Sequence, residues 1–123
     1  MDILVQIANE QEIRNLAPDL SCLARLGTRG VIVTAISENG PADFVSRFFC
    51  PSLGIDEDPV TGSAHCCLAP FWAERIGCNE LVGFQASRRG GFVRCTLAGD
   101  RVLLGGQAVT ILSGEMVAPP PGT

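Results

Sequence analysis

Apolar and polar residues alternate over several short segments of this chain, and that pattern predicts β-strands. Residues 2–8 alternate loosely, and the continuous β-branched run at residues 31–36 predicts a buried strand. After a tight-turn signal at Asn39-Gly40, residues 42–50 predict a partner strand with side chains on two alternating faces. Further strands are predicted at residues 81–86, 92–97, 101–104 and 107–112. The second and third of these form a predicted hairpin.

A helical period appears between the strands. Residues 10–16 predict a short helix, and residues 18–26 predict a second one, because Pro18 suits a first helical turn. The longest helix is predicted from Thr61 or Gly62 to Ile76, and residues 51–59 before it predict a loop. Because the strands come in hairpin pairs, we expect an α+β fold with a mixed, mostly antiparallel sheet wrapped around one long central helix.

Length and composition favour one globular domain. The 123 residues are 46% hydrophobic and 18% charged, which is enough apolar surface for a single core. We expect this domain to span residues 1–117, and we expect residues 118–123 to form an extended Pro-rich tail.

Charge and cysteine usage narrow the class of partners. The net charge of -4 and a single basic pair, Arg88-Arg89, argue against nucleic acid. No apolar run approaches the ~18 residues of a membrane span, and no basic signal segment opens the chain, so we expect a cytoplasmic protein without a membrane partner. The six cysteines are predicted to be buried thiols. One histidine and no CxxC motif give no basis for a metal or other cofactor.

The segment Thr61-Gly62-Ser63-Ala64 is the first candidate site. The first N–H groups of a helix lack internal partners and carry partial positive charge, which suits a carboxylate or phosphate. The alternative is an ordinary helix start capped by Asp58 or Thr61. Ser63 and His65 do not form a serine hydrolase pattern, because Gly-Ser-Ala is not Gly-x-Ser-x-Gly, and His65 is expected to pack structurally.

Acidic residues precede that turn, and a glycine-containing loop follows later. Of Asp56, Glu57 and Asp58, the last is the best candidate proton carrier because it is nearest the turn; the alternative role for all three is capping and solvation. Residues 85–91 form a second candidate ligand loop, in which an arginine could pair with a carboxylate. The alternative is a simple connection with solvated arginines.

Two segments carry a resemblance to a known family, namely Phe49-Cys50-Pro51 and Asp58-Pro59-Val60-Thr61-Gly62-Ser63-Ala64-His65. They resemble the signature of the PhzF-like (phenazine-biosynthesis-like) isomerase family, and supporting matches at residues 18–20, 29–35, 85–91 and 105–109 extend the resemblance over most of the chain. The resemblance implies a diaminopimelate-epimerase-like fold and cofactor-independent proton transfer on a small carboxylate-bearing substrate.

The resemblance also implies roles for individual residues. Asp58 and Ser63 match catalytic positions. The matching substrate-binding positions are Gly62, Ser63, Ala64, Ser87, Arg89 and Gly90. The family's second loop often carries Arg-Pro where this chain has Arg89-Gly90.

The resemblance covers only the C-terminal half of family members, whose catalytic glutamate and motif histidine belong to an N-terminal domain without a counterpart here. We therefore expect a homodimer, a partner chain or a missing N-terminal sister domain to complete the cleft. A non-catalytic interaction module is the alternative, since a half-domain would expose the apolar face that meets its sister.

Overall fold

The computed structural model of this chain describes residues 1–118 and 122. Its core is a seven-stranded sheet with helices on both faces. The elements in chain order are β1 (Asp2–Gln6), α1 (Glu10–Asn15), α2 (Leu20–Ala24), β2 (Gly30–Ile36), β3 (Phe44–Cys50), a 3₁₀ helix (Pro51–Leu53), β4 (Ile55–Asp58), α3 (Gly62–Ile76), β5 (Glu80–Gln85), β6 (Gly91–Ala98) and β7 (Arg101–Gly105).

The sheet is mixed and mostly antiparallel, as the pattern predicts. Its strand order is β1-β2-β3-β5-β6-β7, and β4 pairs with β3 outside this path. β1–β2 and β3–β5 are parallel pairs, whereas the other four pairs are antiparallel. β4 and β5 pair with different parts of the same edge of β3. The acidic strand β4 ends at Asp58, shortly before α3 begins at Gly62.

Alternation along β3 separates two apolar clusters. Phe44, Phe48 and Cys50 face the cluster built around α3, and Val45 and Phe49 face the cluster covered by α1 and α2. The predicted two-faced strand is therefore present. The sheet lies between α3 and the α1–α2 pair, so a sheet wrapped around one central helix is not confirmed, and the diaminopimelate-epimerase-like label stays a prediction.

Three local predictions differ from the structure. Residues 55–58 form β4 rather than loop, because they pair with the outer edge of β3. Residues 107–112 form no strand: the described residues offer them no neighbouring strand, and ladder hydrogen bonds need one. Helix α2 begins at Leu20 rather than at Pro18, because the carboxylate of Asp19 caps it by accepting from the Cys22 N–H at 3.0 Å.

The cysteine prediction is wrong for four of the six side chains. Cys50 and Cys95 are buried, and the exposed ones are Cys22, Cys66, Cys67 and Cys78. Cys66 and Cys67 are exposed because only one side of α3 packs on the sheet. All six are free thiols.

The chain beyond β7 has no regular structure as far as it is described. Of the predicted tail at residues 118–123, residues 119–121 and 123 lie outside the described part, and the domain boundary at residue 117 stays a prediction. No helix in the described ranges is long and apolar enough to span a bilayer.

Candidate functional site

The N-terminus of α3 is open. Thr61 precedes the helix with extended backbone angles, and the first backbone bond within the helix runs from the His65 N–H to the Thr61 carbonyl at 3.3 Å. No side chain in the described part of the protein caps this end. Within the described residues, the N–H groups of Gly62, Ser63 and Ala64 therefore have no partner, and the capping alternative considered above is wrong.

The Thr61 hydroxyl, which would ordinarily cap such a helix, turns towards β4. It donates to Oδ2 of Asp58 at 2.5 Å. The buried Gln85 carboxamide holds the same turn from below: its Oε1 accepts from the Thr61 N–H at 2.7 Å, and its Nε2 donates to the Asp58 carbonyl at 2.7 Å. Sequence reasoning placed Gln85 only in a candidate loop and missed this role.

The two candidate loops lie against each other. The Ser87 hydroxyl donates to the Pro59 carbonyl at 2.8 Å and accepts from the Gly90 N–H at 3.0 Å. A Cβ on Gly91 would stand 2.4 Å from Cγ2 of Val60, so only glycine allows this approach. The hydroxyl of Ser87 is thus engaged within the protein, and its predicted contact with a substrate stays a prediction.

A groove of about 820 Å³ runs between these loops and the β6–β7 hairpin. Three of the predicted binding residues line it together, namely Gly62, Arg89 and Gly90. The groove is rich in backbone and carries the positive side chains of Arg89 and Arg94. Ala64 is buried in the core instead, backbone included, and does not line the groove.

Strand alternation separates the three acidic residues. Asp58 lies opposite Phe48 in the β3–β4 register and Glu57 lies opposite Phe49, so the two carboxylates leave the sheet on different faces. Glu57 is held by Arg47 through bonds of 2.7 and 2.8 Å, while Asp56 is exposed. Only Asp58 therefore joins the open end of α3.

Arg29 is a residue that sequence reasoning did not place in the site. Its Nη2 donates to the Ser63 hydroxyl at 3.0 Å, and its Nε donates to Oδ1 of Asp2 at 2.9 Å. Hydrogen bonds from this guanidinium hold the pKa of Asp2 below its ordinary value. The signal was available, because Arg29 heads the segment 29–35 that takes part in the resemblance.

His65 is buried beneath the helix start. Its ring lies 5.9 Å from that of Phe44, its Nδ1 donates to the Thr61 carbonyl at 2.8 Å, and its Nε2 has no partner in the described residues. Burial lowers the pKa of this imidazole. Because Ser63 meets Arg29 rather than His65, the geometry agrees with a packed histidine and not with a serine–histidine pair.

The buried thiols are poor nucleophiles. Burial raises the pKa of Cys50, with the Asp58 carboxylate acting in the same direction, and burial raises the pKa of Cys95 to about 11. Among residues 1–118 and 122, no group of three or more His, Cys, Asp or Glu side chains is placed to hold a metal ion.

The comparisons with known proteins agree on one family. Residues 1–114 match the phenazine biosynthesis-like protein family. An uncharacterized isomerase of Halalkalibacterium halodurans is 50% identical over 94% of this chain and 44% of its own length, and one of Pseudomonas aeruginosa is 51% identical over 93% and 43%.

A solved structure extends the comparison to the fold. A phenazine biosynthesis PhzC/PhzF protein from Clostridium difficile superposes with a TM-score of 0.83 at 42% identity, covering 94% of this chain and 44% of that one. This chain spans less than half the length of the curated relatives that it matches. It belongs to the phenazine biosynthesis-like (PhzC/PhzF) protein family.

Proposed function

We propose that this chain is one half of a PhzF-like, cofactor-independent isomerase or epimerase that moves a proton on a small carboxylate-bearing metabolite. The relatives named as isomerases support the reaction class at a coarse level. The observation that carries the proposal is the start of α3, which no side chain of the described residues caps and which follows the turn where the Thr61 hydroxyl holds the Asp58 carboxylate.

Each part of the site has a role in this proposal. The N–H groups of the exposed residues Gly62 and Ser63 bind a substrate carboxylate, and Arg89 adds positive charge across the groove. Asp58 exchanges the proton. When a proton is removed from the carbon next to a carboxylate, negative charge builds up on the carboxylate oxygens. Fixed N–H donors stabilise this charge without having to reorient.

A second domain or a second copy completes the cleft. The groove is open, and the chain beyond β7 exposes large apolar side chains in the absence of a partner. These are Val109, Ile111, Leu112, Met116 and Val117, and each is at least 72% exposed. An apolar stretch of this kind favours association. An N-terminal sister domain would bring the family's catalytic glutamate, whereas a second copy of this chain would instead place a second Asp58 and Ser63 across the cleft.

Gly62 offers a sharp test of anion binding. Proline is tolerated at the first position of a helix, and the extended backbone of Thr61 suits a residue before proline. Gly62→Pro therefore removes one N–H donor while the helix stays intact. We expect it to lose binding of 3-butenoate, a small carboxylate, measured by shifts of the backbone amides of α3 in NMR titrations.

Gly62→Ala is the matched control, because its Cβ would meet Leu104 at an ordinary 3.5 Å and its N–H remains. It should bind 3-butenoate as the wild type does. Equal binding of 3-butenoate by Gly62→Pro and Gly62→Ala would contradict the proposal that the start of α3 binds the substrate carboxylate.

The second candidate function is a non-catalytic interaction module, which the exposed apolar stretch after β7 also favours. Light scattering over a range of concentrations gives the mass of the assembly. A dimer that incorporates deuterium from heavy water into 3-butenoate, and loses this in Asp58→Asn, supports the enzyme. A stable assembly that binds no carboxylate supports the module.

A further inference from the structure

The buried carboxamide of Gln85 has only one orientation that satisfies its neighbours. The side chain is fully buried. A backbone N–H can only donate, so Oε1 must face Thr61, and a carbonyl can only accept, so Nε2 must face Asp58. Two backbone groups thereby decide which end of the amide carries the protons.

This orientation sets the direction of the next hydrogen bond. Nε2 also donates to the Thr61 hydroxyl oxygen, at 3.1 Å. The hydroxyl carries a single proton, and among the described residues its acceptor is Oδ2 of Asp58 at 2.5 Å. A directed chain therefore runs from Gln85 through Thr61 to Asp58, and its last bond occupies one oxygen of the carboxylate.

We propose that Gln85 is a positioning residue, which acts through the Thr61 hydroxyl to hold Asp58 so that Oδ1 is the oxygen that exchanges the proton. This inference rests on the proposed function. Oδ1 receives no hydrogen bond from the described residues and is not a buried atom. A proton leaving a substrate C–H would form its O–H bond at Oδ1, and the electron pair of the broken bond would stay on the substrate.

The use of the Thr61 hydroxyl separates this role from plain helix stabilisation. A threonine at this position usually caps its helix by accepting from an N–H of the first turn. Here the hydroxyl makes no cap bond and contacts Asp58 instead. Substituting it should therefore disturb the carboxylate more than the helix.

The test is the rotamer of Asp58 in the chain without ligand, measured from its Hα–Hβ couplings by NMR. We expect the couplings of one fixed rotamer in the wild type and in Thr61→Ser, which keeps the hydroxyl. In Thr61→Val, a variant of nearly the same shape, the couplings should move to the averaged values of a released side chain, and the Gln85 side-chain amide signal should shift. Gln85→Met should release Asp58 in the same way.

Binding of 3-butenoate separates this inference from the proposed function. Thr61→Val keeps the N–H groups of α3, so it should bind the probe with wild-type affinity and lose deuterium exchange. Asp58 couplings that are the same in Thr61→Val as in the wild type would overturn the positioning role even if the probe binds. If Gln85→Met does not fold, an unmoved Gln85 amide signal in Thr61→Val would overturn the link from Gln85 to Thr61.

Discussion

Gly83 lies where β5 passes the buried aromatic residues beneath the start of α3. A Cβ at this position would stand 2.6 Å from two ring carbons of Phe44 and 2.9 Å from Nε2 of His65, whereas ordinary contacts are 3.4–4 Å. Both neighbours are fully buried, and Trp72 stacks on Phe44 with ring centroids 6.1 Å apart. Gly83→Ala therefore forces a movement in the part of the core that supports the site.

The magnitude follows from two opposing effects. Overpacking a dense core costs about 1–3 kcal/mol, and close contacts with two buried residues place this site in the upper part of that range. Replacing glycine reduces the entropy of the unfolded chain and returns about 0.4–1 kcal/mol. We expect Gly83→Ala to lower the free energy of unfolding by about 1–2 kcal/mol, which lowers the urea midpoint by roughly 1 M.

Urea unfolding followed by tryptophan fluorescence measures this change, because Trp72 lies in the affected cluster. Gly106→Ala is the matched control, since its Cβ would meet nothing within 4 Å, and it should stay within about 0.5 kcal/mol of the wild type. Phe44→Leu should relieve the clash, so the double variant should lose less than the sum of the single losses. Equal midpoints for Gly83→Ala and Gly106→Ala would refute this account of the packing.

Two further predictions concern charge. Arg47→Met should lower the free energy of unfolding, measured by urea unfolding, by about 2–4 kcal/mol, because Glu57 loses its partner in a partly buried site. Arg101→Met, at an exposed position, should leave this free energy almost unchanged. Because burial lowers the pKa of His65 in the folded state, the unfolded chain takes up its proton first. The contribution of neutral, buried His65 to the free energy of unfolding should be fully present above pH 6.5, the ordinary pKa of histidine. It should be lost as the pH drops from there towards the lower folded pKa. His65→Asn, whose amide nitrogen still reaches the Thr61 carbonyl, should unfold without this slope; the same slope in the variant would contradict the assignment.

The local pattern predicts most elements of this fold correctly. Continuous β-branched residues predict β2, alternation predicts β3 with its two faces, and the helical period between Gly62 and the αL residue Gly77 predicts α3. These signals are local, because the 2.0 and 3.6 residue periods depend only on neighbouring positions. The motif from Asp58 to Ala64 likewise pointed to the family, which the comparisons confirm.

Only the tertiary structure decided how those segments are used. β4 is a strand because β3 offers it an edge, and residues 107–112 form no strand because no described strand lies beside them, although their β-branched composition predicts one. Gln85 and Arg29 lie at the site because segments distant in the sequence bring them to the start of α3. The physical reason is that pairing edges, buried hydrogen bonds and ion pairs depend on which segments meet in space, whereas a sequence pattern reports only how each segment folds by itself.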